Sequence, residues 1–237
     1  MLEELQLLLS FVDDPNSKTS SYFQAIEEQN CLGKRSGRTR RLTARHLSEL
    51  YALDPDITLF RILRFFWNRD IDSQPLLALT CAYARDSILR SSATFIQGYS
   101  FGGIVTREAL EEFIDNQEPG RFSKATLKST AQNINSTWTQ SGHLQGRVKK
   151  IRSQPKATPG SVSYALLLGY MNGIRGESIL KTDYARLLDC SFERSIELAT
   201  EASGKGWIVF KRLGNVIEVL FPNLLSDQEM EWVREQN

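Results

Sequence analysis

The segment that decides the predicted fold is FSKATLKSTAQNINSTWTQSGHL, residues Phe122–Leu144. Ser123 is a suitable N-cap and Gly142 a suitable stop, so the sequence predicts a helix that runs to about Ser141. Its apolar positions recur every three or four residues and form a single stripe: Leu127, Ala131, Ile134 and Trp138. We therefore expect a helix that is buried along one side only.

The other faces of this helix have an unusual composition for a protein surface. They carry Asn and Thr, which are weaker helix formers than the Glu and Lys of an ordinary exposed helix. Amide and hydroxyl side chains can both donate to and accept from base edges in a DNA major groove. The pattern predicts a DNA-reading helix whose candidate contacts are Lys124, Lys128, Gln132, Asn133 and Asn135.

A basic segment, HLQGRVKKIRSQPK at residues 143–156, follows this helix directly. We interpret it as a β-hairpin with Gly146 near its tip, the wing of a winged helix-turn-helix unit that spans 118–158. Its candidate DNA contacts are Arg147, Lys149, Lys150 and Arg152. The alternative is a basic linker ahead of Pro155 and Pro159, because both strands would be short.

The C-terminal part repeats this plan over 159–222. Three helical segments precede two β-rich runs that flank Gly214 and Asn215, a strong signal for a two-residue hairpin turn. The third helical segment has carboxylates at every fourth position: Glu193, Glu197 and Glu201. Phosphates would repel that face, so we expect it to meet solvent or a partner protein.

Residues 1–117 predict a helical domain, and the break NQEPG separates it from a tandem winged-helix-like domain over 118–237 that ends in a short tail. Two prolines predict helix starts in the first domain. Asp54 before Pro55 is one predicted cap, and Ser73 or Gln74 before Pro75 is the other. The predicted fold class is mostly α: a helical N-terminal domain followed by one or two winged-helix units.

A second basic segment, here called the basic arm, is GKRSGRTRRLTARH at residues 33–46. Apolar spacing predicts a helix from Arg41 to Leu53 with Leu42 among its core positions, so we expect the arm to be a loop that runs into this helix. The helix N-terminus would add free N–H groups and a positive dipole end to the side chains. The candidate phosphate contacts are Lys34, Arg35, Arg38, Arg40, Arg41 and Arg45.

The charges are strongly segregated, although the formal net charge is only +1. The windows between Glu28 and Glu49 and between Glu118 and Glu177 contain no acidic residue. They hold 6 and 9 of the 29 Lys and Arg, which leaves 14 basic residues beside all 28 acidic ones elsewhere. Acid-free windows suit a polyanionic partner, and we expect double-stranded DNA. A basic face that docks on the protein's own acidic half or on an acidic partner is the alternative.

Metal, cofactor and membrane signals are weak. The three cysteines, Cys31, Cys81 and Cys190, form no CxxC pair and the chain has only two histidines, so we expect no metal site, disulfide framework or cofactor. The N-terminus MLEELQLLL has acids where a signal peptide needs basic residues, and the apolar run Tyr164–Ile174 is too short to cross a bilayer. We expect a soluble, cytoplasmic protein with no membrane partner.

One motif favours an enzyme. The segment GYSFG at Gly98–Gly102 matches the G-x-S-x-G nucleophile elbow, which would make Ser100 a hydrolase nucleophile. However, helices rather than strands are predicted before it, and His143 is the only later histidine. We expect no catalytic residues, and a serine hydrolase is the remote alternative.

Three segments resemble the BrxA family of BREX phage-defence loci: the basic arm leading into RLTARHLSELY, the stretch LLALTCAYARDSILRSSATFI, and FSKATLKSTAQNINSTWTQSGHL with its hairpin. The resemblance covers about Cys31 to Pro222. It implies a small, mostly helical, non-enzymatic component of a multi-protein system that methylates host DNA and blocks phage replication. DNA binding would be its own activity, and other proteins of the system would be partners. An adaptor without direct DNA contact is the alternative.

Overall fold

The structure is a computed structural model, and it describes residues 1–235 of the chain. These residues form twelve α-helices and five short strands, so the mostly helical class is confirmed. The helices are α1 Leu2–Phe11, α2 Thr19–Glu27, α3 Gly37–Tyr51, α4 Thr58–Trp67, α5 Gln74–Arg85, α6 Ser87–Gln97, α7 Arg107–Gln117, α8 Lys124–Gln140, α9 Pro159–Met171, α10 Asp183–Arg186, α11 Phe192–Gly204 and α12 Asp227–Glu235. The strands are β1 Ile104–Val105, β2 Leu144–Gln145, β3 Lys150–Arg152, β4 Val209–Leu213 and β5 Val216–Leu220.

The chain divides into two compact units. Unit 1 contains residues 1–53 and 81–155, and unit 2 contains residues 54–80 and the chain from 156 onward. This division differs from the predicted boundary between 117 and 118. The physical reason is that α7 packs against α8, and β1 pairs with β3, so the elements on both sides of the NQEPG break share one core.

In unit 1, α6 is followed by a strand, two helices and a hairpin. The central strand β3 is antiparallel to both neighbours, with Ile151 opposite Ile104 of β1 and opposite Gln145 of β2. Helix α7 packs against both α6 and α8. Residues 118–123 connect α7 to α8, so the NQEPG break is a turn between two packed helices rather than a domain boundary.

Trp138 fixes α8 to the rest of unit 1. Its indole Nε1 donates a 2.8 Å hydrogen bond to Ser92 Oγ of α6, and both side chains are buried. The indole also packs edge-on against the His143 ring, with the ring centroids 4.8 Å apart. Ser141 Oγ lies 2.9 Å from His143 Nδ1 and donates to the Trp138 carbonyl at 3.0 Å. This buried cluster joins the end of α8 to the start of β2.

Helix α8 begins where the sequence predicts. Ser123 Oγ accepts a 3.2 Å hydrogen bond from the Thr126 backbone N–H and so caps the first turn. Ala131, Ile134 and Trp138 of the predicted stripe are buried. The single apolar side of this helix is therefore confirmed.

Helix α3 begins four residues earlier than predicted. Ser36 Oγ accepts a 3.1 Å hydrogen bond from the Thr39 backbone N–H, which caps a helix that starts at Gly37. Most of the basic arm is therefore helical, and the prediction of a loop is wrong. Leu42 was expected in the core but is 48% exposed, whereas Leu53 is fully buried.

Two other helix starts show how local hydrogen bonds decide a cap. Asp54 Oδ1 accepts from the Asp56 backbone N–H in a turn, so it does not cap α4, which begins two residues after that turn. Gln74 begins α5 as predicted. Asp86 ends this helical stretch and caps the next helix, α6, because its Oδ1 atom accepts from the Ile88 backbone N–H.

In unit 2, α9 is packed by α4, α10 and α11 and is buried from Gly160 to Gly169. The backbone N–H of Gly160 donates a 2.8 Å hydrogen bond to Asp70 Oδ2. A Cβ atom at position 160 would lie 2.7 Å from that oxygen, so the close approach of Asp70 to the helix start requires glycine. An acidic side chain thus holds the start of the central helix.

The second predicted hairpin is confirmed. β4 and β5 are antiparallel, in register from Val209 opposite Leu220 to Leu213 opposite Val216. Gly214 has φ of 59°, a left-handed conformation that a two-residue hairpin turn requires.

Glu229 fastens α12 to α4 within unit 2. Arg61 Nη2 donates to both carboxylate oxygens at 2.8 and 2.7 Å, and the Thr58 hydroxyl and the Ser226 backbone N–H donate as well. Burial raises the pKa of Glu229, but these three donors outweigh burial and lower the pKa to about 2. The predicted short tail is therefore, as far as residue 235, a docked helix.

Replacing Ser92 by alanine should destabilise the protein by about 1–3 kcal/mol, because the buried Trp138 N–H would lose its acceptor. Urea unfolding followed by tryptophan fluorescence measures the change. The matched control is Ser91→Ala, since Ser91 is half-buried in the same helix and bonds only to the Ile88 carbonyl of its own turn. Equal stabilities of the two variants would contradict the role of the Trp138 bond.

Glu229→Gln should cost about 1.5–3 kcal/mol at pH 7, because it removes the charged acceptor for Arg61. The folded pKa of Glu229 lies below its ordinary value of 4.5, so its contribution is complete above pH 4.5 and declines as the pH falls toward 2. Urea unfolding of both proteins at several pH values should show the gap narrowing in that window. A gap that is constant with pH, or an equal effect of Glu231→Gln at an exposed site of α12, would contradict this account.

Candidate nucleic-acid interface

The basic arm divides into cations with internal partners and cations without them. The partnered ones are Lys34 with Glu4 at 3.1 Å, Arg40 with the Glu27 carbonyl at 2.6 Å, and Arg45 with Glu49 at 2.9 Å. The bond from Arg45 lowers the pKa of Glu49. Arg35, Arg38 and Arg41 are exposed and make no hydrogen bond or ion pair within residues 1–235.

These three arginines lie at the N-terminus of α3. Arg35 precedes the Ser36 cap, and Arg38 and Arg41 are one turn apart in the helix. The first-turn N–H groups of a helix have no partner within the helix and carry its positive dipole end. Three of the six cations of the arm are therefore exposed at a helix N-terminus without a hydrogen bond or ion pair among the described residues.

The solvent face of α8 carries four of the five predicted contacts. Lys124, Lys128, Gln132 and Asn133 are all exposed. Ser129 and Ser136 are also exposed on this helix, although the sequence reasoning missed them. Counting in steps of four from Lys128 through Gln132 reaches Ser136, so the helical period could have found it.

Asn135 does not belong to that face. It is only 5% exposed, because the buried sector of α8 extends from Ala131 across Ile134 to Asn135. Its Oδ1 atom is buried and makes no hydrogen bond within the described part of the chain. The predicted position of Asn135 on the open face is wrong.

The wing is a hairpin, so the linker alternative is wrong. β2 and β3 are joined through Gly146, where φ is 95° and an added Cβ would lie 2.2 Å from the Lys149 carbonyl oxygen. Arg147, Val148 and Lys149 form the exposed tip, with Val148 95% exposed. Lys150 Nζ donates to the Gly146 carbonyl at 2.7 Å, and desolvation lowers the pKa of this lysine.

Arg152 is a structural residue of the wing rather than a ligand contact. It is 3% exposed, and its Nη1 atom donates to the His143 carbonyl at 3.2 Å and to the Ser153 carbonyl. Its guanidinium carbon lies 5.0 Å from the centroid of the Phe101 ring. The prediction that Arg152 binds DNA is therefore corrected: the side chain holds the base of β3 in place.

An open cleft of about 620 Å³ separates α8 from the wing. Its walls are β1 and the start of α7 on one side and residues 147–150 of the wing on another. Gln132, Asn135 and Ser136 of α8 line it. Arg107 also lines the cleft, and because its position depends on the β1–β3 pairing, no local sequence signal could have found it.

Unit 2 carries the acidic face that the sequence predicts. Glu193, Glu197 and Glu201 of α11 are all exposed. Glu197 pairs with Arg194 at 2.8 Å and Glu201 with Lys205 at 3.2 Å. Lys211 of the second hairpin is paired with Glu218 at 3.2 Å. These pairs leave unit 2 with few free cations for phosphate.

Ser100 lies in the connection between α6 and β1. The secondary-structure element before Ser100 is the helix α6, whereas a nucleophile elbow requires a strand there. His143, the only later histidine, is fully buried beside Ser141. Ser100 therefore lacks the strand that precedes the serine in a nucleophile elbow.

Across residues 1–235, no cluster of three or more His, Cys, Asp or Glu side chains is arranged to hold a metal ion. The same residues include no helix with the length and apolarity needed to span a membrane.

Comparison of the chain with protein-family models, curated proteins and solved structures gave no match. The chain's own residues therefore carry the functional assignment.

Proposed function

We propose that this protein binds double-stranded DNA through unit 1. The observation that carries the proposal is a set of exposed cations in this unit that make no hydrogen bond or ion pair within residues 1–235: Arg35, Arg38, Arg41, Lys124, Lys128, Arg147 and Lys149. Cations without internal partners are free to bind DNA phosphates, which releases the counterions that those phosphates held. They come from the basic arm, α8 and the wing.

The order of elements supports a winged helix-turn-helix in unit 1. Helices α7 and α8 are packed and joined by a short turn, and β2 and β3 follow as a hairpin beside β1. In a helix-turn-helix, the second helix enters the major groove and the first crosses the backbone. Helix α8 is then the reading helix, and the wing lies on the adjacent phosphates. The corresponding elements of unit 2, with their acidic third helix, are proposed as a second winged unit that does not read DNA.

Base contacts come from the open face of α8 in this proposal. Gln132 and Asn133 carry amides that can pair with adenine, and Lys128 can reach guanine or a phosphate. Phosphate contacts outnumber them, so affinity depends mainly on charge and only weakly on sequence.

The resemblance to the BrxA family adds a cellular role to the proposal. The protein would act in the cytoplasm as a non-enzymatic component of a BREX-type phage-defence system, with other proteins of that system as partners. The exposed Glu193 face of α11 is the surface that suits such partners, because it is unsuited to DNA.

A protein-interaction adaptor is the second candidate. The same exposed Glu193, which forms no ion pair within the described residues, favours it. An adaptor would bind no DNA when purified, and the cations of unit 1 would meet an acidic protein instead.

Titration of the purified protein with a fluorescent random-sequence duplex at several salt concentrations tests the proposal. Binding should weaken steeply with salt, with a slope of about 0.9 in log–log form for each phosphate contact. The triple variant Lys128→Ala, Arg147→Ala, Lys149→Ala should reduce that slope by about 2.7 and weaken binding to all sequences alike.

The matched control removes the same charge from unit 2. Lys181, Arg186 and Lys205 are exposed and already paired with Glu177, Asp183 and Glu201, respectively. Their triple alanine variant should leave the slope unchanged. Equal slopes for the two triple variants would contradict the assignment to unit 1, and no binding at low salt would favour the adaptor.

A further inference from the structure

The cleft between α8 and the wing is lined by one buried polar side chain, Asn135, that the proposed duplex contact does not use. Asn135 is more than nine-tenths buried, and its Oδ1 acceptor has no hydrogen-bond donor among the described residues. A buried amide oxygen without a donor costs free energy, so such a group calls for a ligand that supplies an N–H or O–H.

The walls of the cleft supply the other features of a nucleotide site. Four cationic residues line it: Arg107, Arg147, Lys149 and Lys150. Arg107 is ion-paired with Glu108 at 2.6 Å and with Glu111 at 2.7 Å, and Lys150 donates to the Gly146 carbonyl, so Arg147 and Lys149 are the cations left for a phosphate. Ile104 and Val148 add exposed apolar surface on which a base can pack. The volume of about 620 Å³ lies within the usual range for small-molecule sites.

Charge, apolar surface and a buried amide together select one ligand class. An anion alone would leave the Asn135 oxygen without a donor, and an apolar ligand would leave the wing cations unused. A nucleotide has both a phosphate for the cations and a base edge with N–H donors for the amide.

We infer that this cleft binds a single nucleoside phosphate, with the base against Asn135 and the phosphate on Arg147 and Lys149. The nucleotide is either a free mononucleotide or one unpaired nucleotide of a DNA strand, since both present the same chemistry. A base in a duplex has its donor groups paired, so an unpaired base meets Asn135 more readily. Asn135 lies outside the open face of α8, whereas Arg147 and Lys149 are shared with the proposed duplex contact. Binding of a single nucleotide does not require binding of a duplex.

Titration of the full-length protein with deoxyadenosine 5′-monophosphate, followed by the side-chain amide NMR signal of Asn135, tests the inference. We expect saturable shifts of that signal and tighter binding of this nucleotide than of deoxyribose 5-phosphate, which lacks the base. Asn135→Ala should weaken nucleotide binding about 5- to 150-fold, the ratio for one amide–base pair, and leave deoxyribose 5-phosphate binding unchanged.

Two further variants keep the test independent of folding. Asn116→Ala, at an exposed position of α7 that does not line the cleft, should bind the nucleotide as the unmodified protein does. Arg147→Ala with Lys149→Ala, on the exposed wing tip, should weaken both the nucleotide and deoxyribose 5-phosphate. Equal affinity for the two ligands, or an Asn135→Ala variant that is folded and retains full affinity, would overturn the inference.

A single-stranded oligodeoxyadenylate, compared with the same strand carrying one abasic position, separates the two sources. Asn135-dependent binding of the strand without binding of the mononucleotide identifies an unpaired base as the occupant, and neither binding overturns the site. If the protein does not bind the duplex but shows Asn135-dependent nucleotide binding, the proposed function is wrong and this inference stands. If the protein binds the duplex but neither the mononucleotide nor the single strand, this inference is wrong and the proposed function stands.

Discussion

The hydrogen bond from Trp138 Nε1 to Ser92 Oγ is the contact on which the surface of unit 1 depends. Helix α8 is rich in Ser, Thr and Asn, which are weak helix formers, so most of its stability must come from packing rather than from propensity. A buried indole with its N–H satisfied supplies that packing at the end of α8. The neighbouring His143 and Ser141 extend the cluster to β2, so the same contact sets where the wing begins. Because this buried side holds the helix, the open side is free to carry polar groups that suit a ligand.

The basic residues of unit 1 perform two different tasks. Arg152, Arg40 and Lys34 bind internal oxygen atoms and stabilise the fold. Seven exposed cations of the arm, α8 and the wing make no hydrogen bond or ion pair within residues 1–235, and these are the ones available to an anionic partner. The acid-free windows of the sequence do not separate the two groups, because a buried arginine that donates to carbonyl groups needs no carboxylate nearby. The unpaired positive charge of the surface is therefore smaller than the sequence count implies, but it is concentrated in one unit.

Local signals predicted much of the fold. The Ser123 cap, the stripe ending at Trp138 and the turn at Gly214 all depend on neighbours within one or two turns, and each is confirmed. The division into units was missed because it depends on the long-range pairing of β1 with β3. A strand as short as β1 gives no recognisable sequence pattern. Asn135 was misplaced because helical periodicity gives the centre of a buried stripe and not its width. The cap at Ser36 followed the usual serine rule but was overlooked in favour of the apolar spacing further along the helix.

Hydrogen exchange of the backbone amides, with and without a random-sequence DNA duplex at low salt, tests the central claim most directly. The account predicts that DNA slows exchange in the first half of α8, in wing residues 145–150 and at the start of α3. It predicts no change in α11, whose exposed face is acidic. Slower exchange confined to unit 2, or no change in α8 and the wing despite bound DNA, would contradict the account.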